Sequence, residues 1–188
     1  LSSSSAASDV YKRQSLEMLR RLDHRGGVGA DGITGDGAGI MTEIPFDYFN
    51  KHVDFELSCE GEYAVGLFFS QKVIVNTRYQ KMIDLLFRSE GLKVLGYREV
   101  PVNKEVLAQH VAKTMPYVYQ IFVDITNHQD IEKKLYLARK QIEHEAEQQG
   151  LELYFTSLSH KTIVYKGWLR SDQIKGCLLY TSDAADEE

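Results

Sequence analysis

The chain has 188 residues, enough for one domain with a sizeable core, and its 43% hydrophobic and 26% charged residues are those of a globular protein, not a disordered or fibrous one. Its formal charge is −5, with Asp183, Asp186, Glu187 and Glu188 crowded near one end, so the body is near neutral and offers no basic stripe for nucleic acid. No apolar run reaches the length of a membrane span, and two cysteines without ligand spacing suit a reducing, cytoplasmic setting better than a disulfide framework or structural zinc.

Leu1 to Gln14, LSSSSAASDVYKRQ, is polar and lacks the apolar segment of a secretory signal. It and the terminal stretch CLLYTSDAADEE are both similar to translated sequencing-adaptor sequence. The expected organisation is therefore a foreign tail over 1–14, a domain over 15–176 and a second foreign tail over 177–188, with Cys177 outside the domain.

Patterned sequence begins at Ser15. Leu16, Met18, Leu19 and Leu22 predict a short helix with an apolar face, ended by the glycines after His24. Residues 40–44 predict a strand that stops at Pro45. Residues 63–69, apolar throughout, predict a strand buried on both faces of a sheet. A helix over 76–90 with Gly91 as its stop, a strand over 94–100 and a helix over 104–115 follow. The strand over 118–125 puts Tyr119, Ile121, Val123 and Ile125 on one face.

Ile131, Leu135, Ala138, Ile142 and Ala146 mark a helix over 130–149, with Asp130 placed to cap it and Gly150 to end it. Strands over 153–158 and 162–165, separated by Ser159-His160-Lys161, predict a hairpin. Trp168 opens a last amphipathic stretch. Mixed elements around a two-sided sheet predict one layered α+β domain.

Between the first helix and the first strand lies Asp23-His24-Arg25-Gly26-Gly27-Val28-Gly29-Ala30-Asp31-Gly32-Ile33-Thr34-Gly35-Asp36-Gly37-Ala38-Gly39, with half of the chain's 14 glycines. Glycines this dense cost backbone entropy and bury little, and a flexible linker would be padded with Ser, not with His, Arg and Asp. The reading is a backbone-shaped loop beside a site. Gly27 to Gly32 matches GxGxxG, but the order is helix then strand, the reverse of a dinucleotide cradle. Asp31 and Asp36 lack calcium-loop spacing, and Asp36 is expected to brace the loop by accepting backbone N–H bonds. Cys59 has no histidine neighbour in sequence and reads as packing. Arg25 offers a permanently charged donor fork for a carboxylate, or else pairs with Asp23 or Asp31; residue chemistry alone leaves that open.

HRG at residues 24–26, followed by Ala30-Asp31 and Thr34-Gly35-Asp36-Gly37-Ala38-Gly39, closely resembles the N-terminal glutamine amidotransferase domain of glutamate synthase large subunits. Gly96-Tyr97-Arg98-Glu99-Val100-Pro101-Val102-Asn103 is similar to that family's GWR-x-VP-x-N segment. The segments over 120–123, 135–143, 157–159 and 163–167 are similar in place. The resemblance covers roughly 15–176.

It implies an α+β fold, an αββα four-layer sandwich of the N-terminal-nucleophile hydrolase type, incomplete here. It implies hydrolysis of L-glutamine to L-glutamate and ammonia by an N-terminal cysteine through a glutamyl thioester, with an Asn-Gly oxyanion hole. The ammonia would reach 2-oxoglutarate in other domains of the same large subunit. Those domains are implied to hold FMN and an iron–sulfur cluster, fed by a small NADPH-oxidising subunit or ferredoxin. No cofactor, metal, nucleic acid or membrane is implied for this stretch.

What carries over is Arg25 and Gly26, the supporting loop beside the nucleophile. The nucleophile itself is missing, and the four asparagines precede Lys, Thr, Lys and His, so the Asn-Gly pair is missing too. The chain is therefore expected to be inactive alone. The alternatives are a non-catalytic small-ligand or protein-interaction module, or another class II glutamine amidotransferase.

Overall fold

In chain order, the computed structural model gives α1 over 14–21, a 3-10 turn Asp23–Arg25, β1 (Ala38–Glu43), α2 (Phe46–His52), β2 (Tyr63–Ser70), α3 (Arg78–Ser89) and β3 (Lys93–Glu99). A 3-10 turn Lys104–Val106, α4 (Gln109–Thr114), β4 (Tyr117–Asp124), α5 (Ile131–Gln148), β5 (Leu153–Ser159), β6 (Thr162–Gly167) and α6 (Gln173–Leu178) follow. The structure describes residues 14–178; the tails read as foreign lie outside these, except for Gln14, Cys177 and Leu178, which α1 and α6 include. The described residues divide into two compact units, one of Glu43–Val100 with Pro116–Ile163, the other of residues 14–42, Pro101–Met115 and residues 164–178.

The first unit is built on a four-stranded sheet in the order β3-β4-β2-β5, each neighbouring pair antiparallel. β2 sits inside it and is buried along its whole length but for Phe69, as its unbroken apolar sequence predicts. Ala64 and Phe68 of β2 and Tyr119, Ile121 and Val123 of β4 share one core with Ile83 and Phe87 of α3 and Leu135, Ala138, Ile142 and Ala146 of α5. Each fully buried side chain of Leu or Ile size contributes ~1.5–3 kcal/mol to that core.

The intervening residues meet an aromatic cluster, with Phe49 of α2 and Phe55 at 5.0 and 5.3 Å from the Phe122 ring. A Cβ at Gly96 would stand 2.4 Å from the Phe55 ring, so glycine is required there, next to a register shift between Val94 and Gly96.

The ends of α3 and α5 follow local chemistry with one exception. Thr77 caps α3 by accepting the Tyr79 amide at 3.2 Å, and Gly91 ends it at φ +76°. Gly150 closes α5 at φ +63°. Asp130 stands at the start of α5 but in the left-handed region, φ 52°, and makes no side-chain cap, contrary to expectation.

Three further elements differ from the sequence reading. The helix expected over 104–115 is broken, because Asn103 accepts the Glu105 amide to start a 3-10 turn and Leu107 then runs extended before α4. α2 follows Pro45 directly where no helix was expected, its Phe46 and Phe49 one turn apart. The expected hairpin does not form: β5 pairs with β2, whereas β6 pairs with β1 in a separate two-stranded sheet.

In the second unit, Ile40, Tyr165, Leu169 and Ile174 are buried. The Lys104–Val106 turn and α6 are joined by Gln173 Nε2 donating to the Val106 carbonyl at 2.9 Å and by the Asn103 amide donating to Cys177 O at 3.1 Å. Burial pushes the Cys177 thiol up to about 11, so it is a packing residue and not a thiolate. The apolar face predicted for α1 is only partly covered among the described residues: Leu16 and Leu19 are half-buried, whereas Met18 is 65% and Leu22 46% exposed.

Candidate functional site

The glycine-rich loop is a small folded-back finger of the second unit. A single bridge pairs Val28 with Gly35, and the Gly29 amide donates to Thr34 O at 2.8 Å. Asp31 holds the tip. Its carboxylate accepts the Ile33 and Thr34 amides at 3.0 and 2.9 Å and the Thr34 hydroxyl at 2.5 Å. The Thr34 hydroxyl, with the two amides and minor help from His110, lowers the Asp31 pKa to about 2.

No helix opens after Gly32, so the pyrophosphate-cradle geometry is absent, as the element order predicts. The bracing role expected of Asp36 falls to Asp31. Asp36 lays its carboxylate over the backbone of Gly26 and Gly27, 3.3 Å from where each Cβ would stand.

Residues far along the chain clamp this finger, and sequence reading missed them. Arg170 Nη1 donates to Gly32 O at 2.9 Å, and its Nη2 lies 3.8 Å from Asp23. Its Nε is buried and stands 3.4 Å from Asp172 without hydrogen-bond geometry. The Ser171 hydroxyl donates to Asp23 at 2.6 Å, and Gln173 Nε2 reaches Ile33 O at 3.2 Å. His110 Nε2 of α4 approaches the Thr34 hydroxyl at 3.4 Å. A Cβ on Gly35 would fall 2.6 Å from Leu169 O and 2.7 Å from Arg170 N, so this glycine lets two backbones touch. The only sequence signal for the clamp is the glycine itself, which marks a close approach without naming its partner.

Arg25 closes the 3-10 turn, its amide bonded to Leu22 O at 2.9 Å, with an exposed side chain. The pairing with Asp23 or Asp31 left open by residue chemistry does not form: both carboxylates are engaged elsewhere. Among the described residues no carboxylate lies within ion-pair distance of Arg25. Gly26 follows it in extended conformation, φ −91°, ψ 151°. A free donor fork beside a clamped glycine loop can hold an incoming carboxylate or steady an anionic nucleophile.

No group of three or more His, Cys, Asp or Glu is gathered among the described residues. An iron–sulfur cluster takes several thiolates, and the chain's two cysteines, Cys59 exposed in a turn and Cys177 buried, do not make such a set. Among the described residues no helix is long and apolar enough to cross a membrane.

A family model, glutamine amidotransferases class-II, matches residues 3–188. The glutamate synthase [NADPH] large chain of Bacillus subtilis is 43% identical over 185 residues, covering 95% of this chain and 12% of that protein. Ferredoxin-dependent glutamate synthase 1, chloroplastic/mitochondrial, of Arabidopsis thaliana is 42% identical over 171 residues, covering 86% of this chain and 10% of that one. The spinach ferredoxin-dependent enzyme is 40% identical over 169 residues. The chain thus spans about an eighth or less of the relatives it matches. A mixed α+β fold with an antiparallel sheet, the intact HRG loop and a family match over nearly every residue agree: the chain belongs to the class II glutamine amidotransferases, and the relatives it matches are glutamate synthases.

Proposed function

We propose that this chain is part of the glutaminase domain of a glutamate synthase large chain. In that setting L-glutamine is hydrolysed to L-glutamate and ammonia, and the ammonia passes to 2-oxoglutarate in other domains. FMN and an iron–sulfur cluster would belong to those domains. The electron donor would be a small NADPH-oxidising subunit or ferredoxin; the relatives' names give NADPH in one case and ferredoxin in the other. The observation that carries the reading is Arg25 next to Gly26, on a loop of the family's sequence and with no carboxylate at ion-pair distance among the described residues. Arg25 would hold the developing negative charge near a cysteine nucleophile, and Gly26, without a side chain, would support it by letting the Asp36 carboxylate lie close over the turn.

The 188-residue chain itself should not turn over glutamine, because neither of its cysteines can serve. Cys177 is buried with its pKa raised, and the exposed Cys59 thiol makes no hydrogen bond to a histidine that could activate it among the described residues. The test is ammonia release from L-glutamine by the purified chain, expected to match a blank. Turnover that Cys59→Ala abolishes would overturn it. In a longer protein that places a cysteine at the N-terminus ahead of this loop, Arg25→Ala should lower kcat/KM by ~100-fold, the scale of losing one oriented donor. An unchanged value there would remove Arg25 from the site.

A further inference from the structure

Away from the glycine loop, in the first unit, the segment from β2 into α3 gathers two cations on one phenol. Tyr79 is only 8% exposed. Arg78 Nη2 stands 3.1 Å and Lys72 Nζ 3.4 Å from the Tyr79 hydroxyl oxygen, with Arg78 Cζ 4.9 Å and Lys72 Nζ 5.7 Å from the ring centre. The two cationic nitrogens are thus within about 6.5 Å of each other, close enough to repel. Among the described residues neither cation has a carboxylate at ion-pair distance. Glu147 and Glu152 border the groove that also includes Gly150, yet they leave Lys72 to bond the Gly150 carbonyl at 3.2 Å instead.

The Tyr79 oxygen already accepts from both cations, and its own O–H has no acceptor among the described residues. The cluster therefore presents ammonium, guanidinium and hydroxyl donors together with no anion to receive them. Cation–π contact with one ring is a weak reward for crowding like charges. The donors of the α3 N-terminus are not what is on offer, since Thr77 accepts the Tyr79 amide and Gln80 accepts the Asn76 amide.

We propose that Lys72, Arg78 and the Tyr79 hydroxyl form a binding site for a compact phosphate-type oxyanion. Such an ion carries up to two negative charges against the two cations and only acceptor oxygens against a donor-only cluster. Arg78 would present its planar fork, Lys72 a point charge, and Tyr79 a hydroxyl held in place by the burial of its ring. The pull of the two cations, which lowers the phenol's pKa, also makes its O–H a better donor. The site does not depend on the glutaminase reading.

The test is a titration of the full 188-residue chain, labelled at tyrosine Cζ and arginine side-chain nitrogens, with inorganic phosphate. Ionic strength is held constant with chloride, and acetate runs in parallel. The expected result is a saturable shift of the Tyr79 and Arg78 resonances with phosphate in the millimolar range, and weaker or no saturation with acetate. Arg78→Gln and Lys72→Gln, both exposed substitutions that leave the core intact, should each weaken phosphate binding about tenfold, the scale of one charge-assisted contact. Shifts that chloride or acetate reproduce, or phosphate affinity unchanged in either variant, would overturn the site.

Discussion

Among the described residues Arg25 has no carboxylate at ion-pair distance, because the two nearest it in the loop sequence are engaged elsewhere. Asp23 is taken by Ser171 and Arg170, and Asp31 by the amides and hydroxyl of its own turn. A guanidinium on an exposed loop would ordinarily find a carboxylate, at a gain of only ~0–1 kcal/mol. With both neighbours engaged elsewhere, the charge is available for the role proposed for it. The loop's shape in turn depends on Asp31 staying ionised. Its carboxyl, ordinarily titrating at 3.8, is held at about 2, so the tip is stabilised fully above pH ~4 and loses that contribution as pH falls toward 2. The Ile33 and Thr34 amide resonances should therefore titrate together with a midpoint near 2, and Asp31→Asn should abolish that transition. A midpoint at the ordinary carboxylate value would mean that the tip is not held by Asp31.

At the scale of elements, the informative failure is the hairpin that does not form. Ser159-His160-Lys161 is short enough for a hairpin turn, but Glu132 in the first turn of α5 takes it over. One carboxylate oxygen accepts the Ser159 hydroxyl at 2.8 Å, the His160 amide at 3.1 Å and His160 Nδ1 at 2.6 Å. The Lys161 carbonyl then receives the Ile44 amide at 3.3 Å, and β6 continues on β1. Glu132→Ala should cost about 1–2 kcal/mol, a loss of charged hydrogen bonds discounted for a carboxylate about half exposed. Chemical denaturation at neutral pH measures it, and a change within error would show that the crossover holds without this contact.

The same comparison marks what sequence could carry. β2, β4 and α5 were legible because their own apolar pattern matches the core they enter. The partner of β6, the break at Leu107 and the start of α2 depend on contacts from elsewhere in the chain. At the candidate site the folding back of the glycine-rich loop was legible. The clamp was not: Ser171 meets Asp23 across 148 positions, and no local pattern encodes that.

At the scale of the whole molecule, the two units differ in how their backbone is secured. The unit of Glu43–Val100 and Pro116–Ile163 has four antiparallel strands, with β2 and β4 hydrogen-bonded on both sides and buried under helices and aromatic rings. The other rests on β1 and β6, a pair of strands, and on short helices. Two strands alone are marginal in water, and three or more with a covered face are needed for independent stability. Local opening should therefore be graded within one chain. Amides of β2 and β4 should exchange with solvent only on global unfolding. Those of β1, β6 and the 26–37 loop should open at a free energy lower by about 3 kcal/mol or more, which is exchange faster by roughly 100-fold. Hydrogen exchange followed residue by residue at neutral pH decides this, and uniform protection across both units would contradict it. The gradient bears on the proposed role of Arg25, because the glycine loop belongs to the unit with fewer strands. If Arg25 holds a carboxylate as proposed, the exchange rate at Gly26 and Gly27, more than that of any strand, should slow when glutamate is added; unchanged rates there would count against that role.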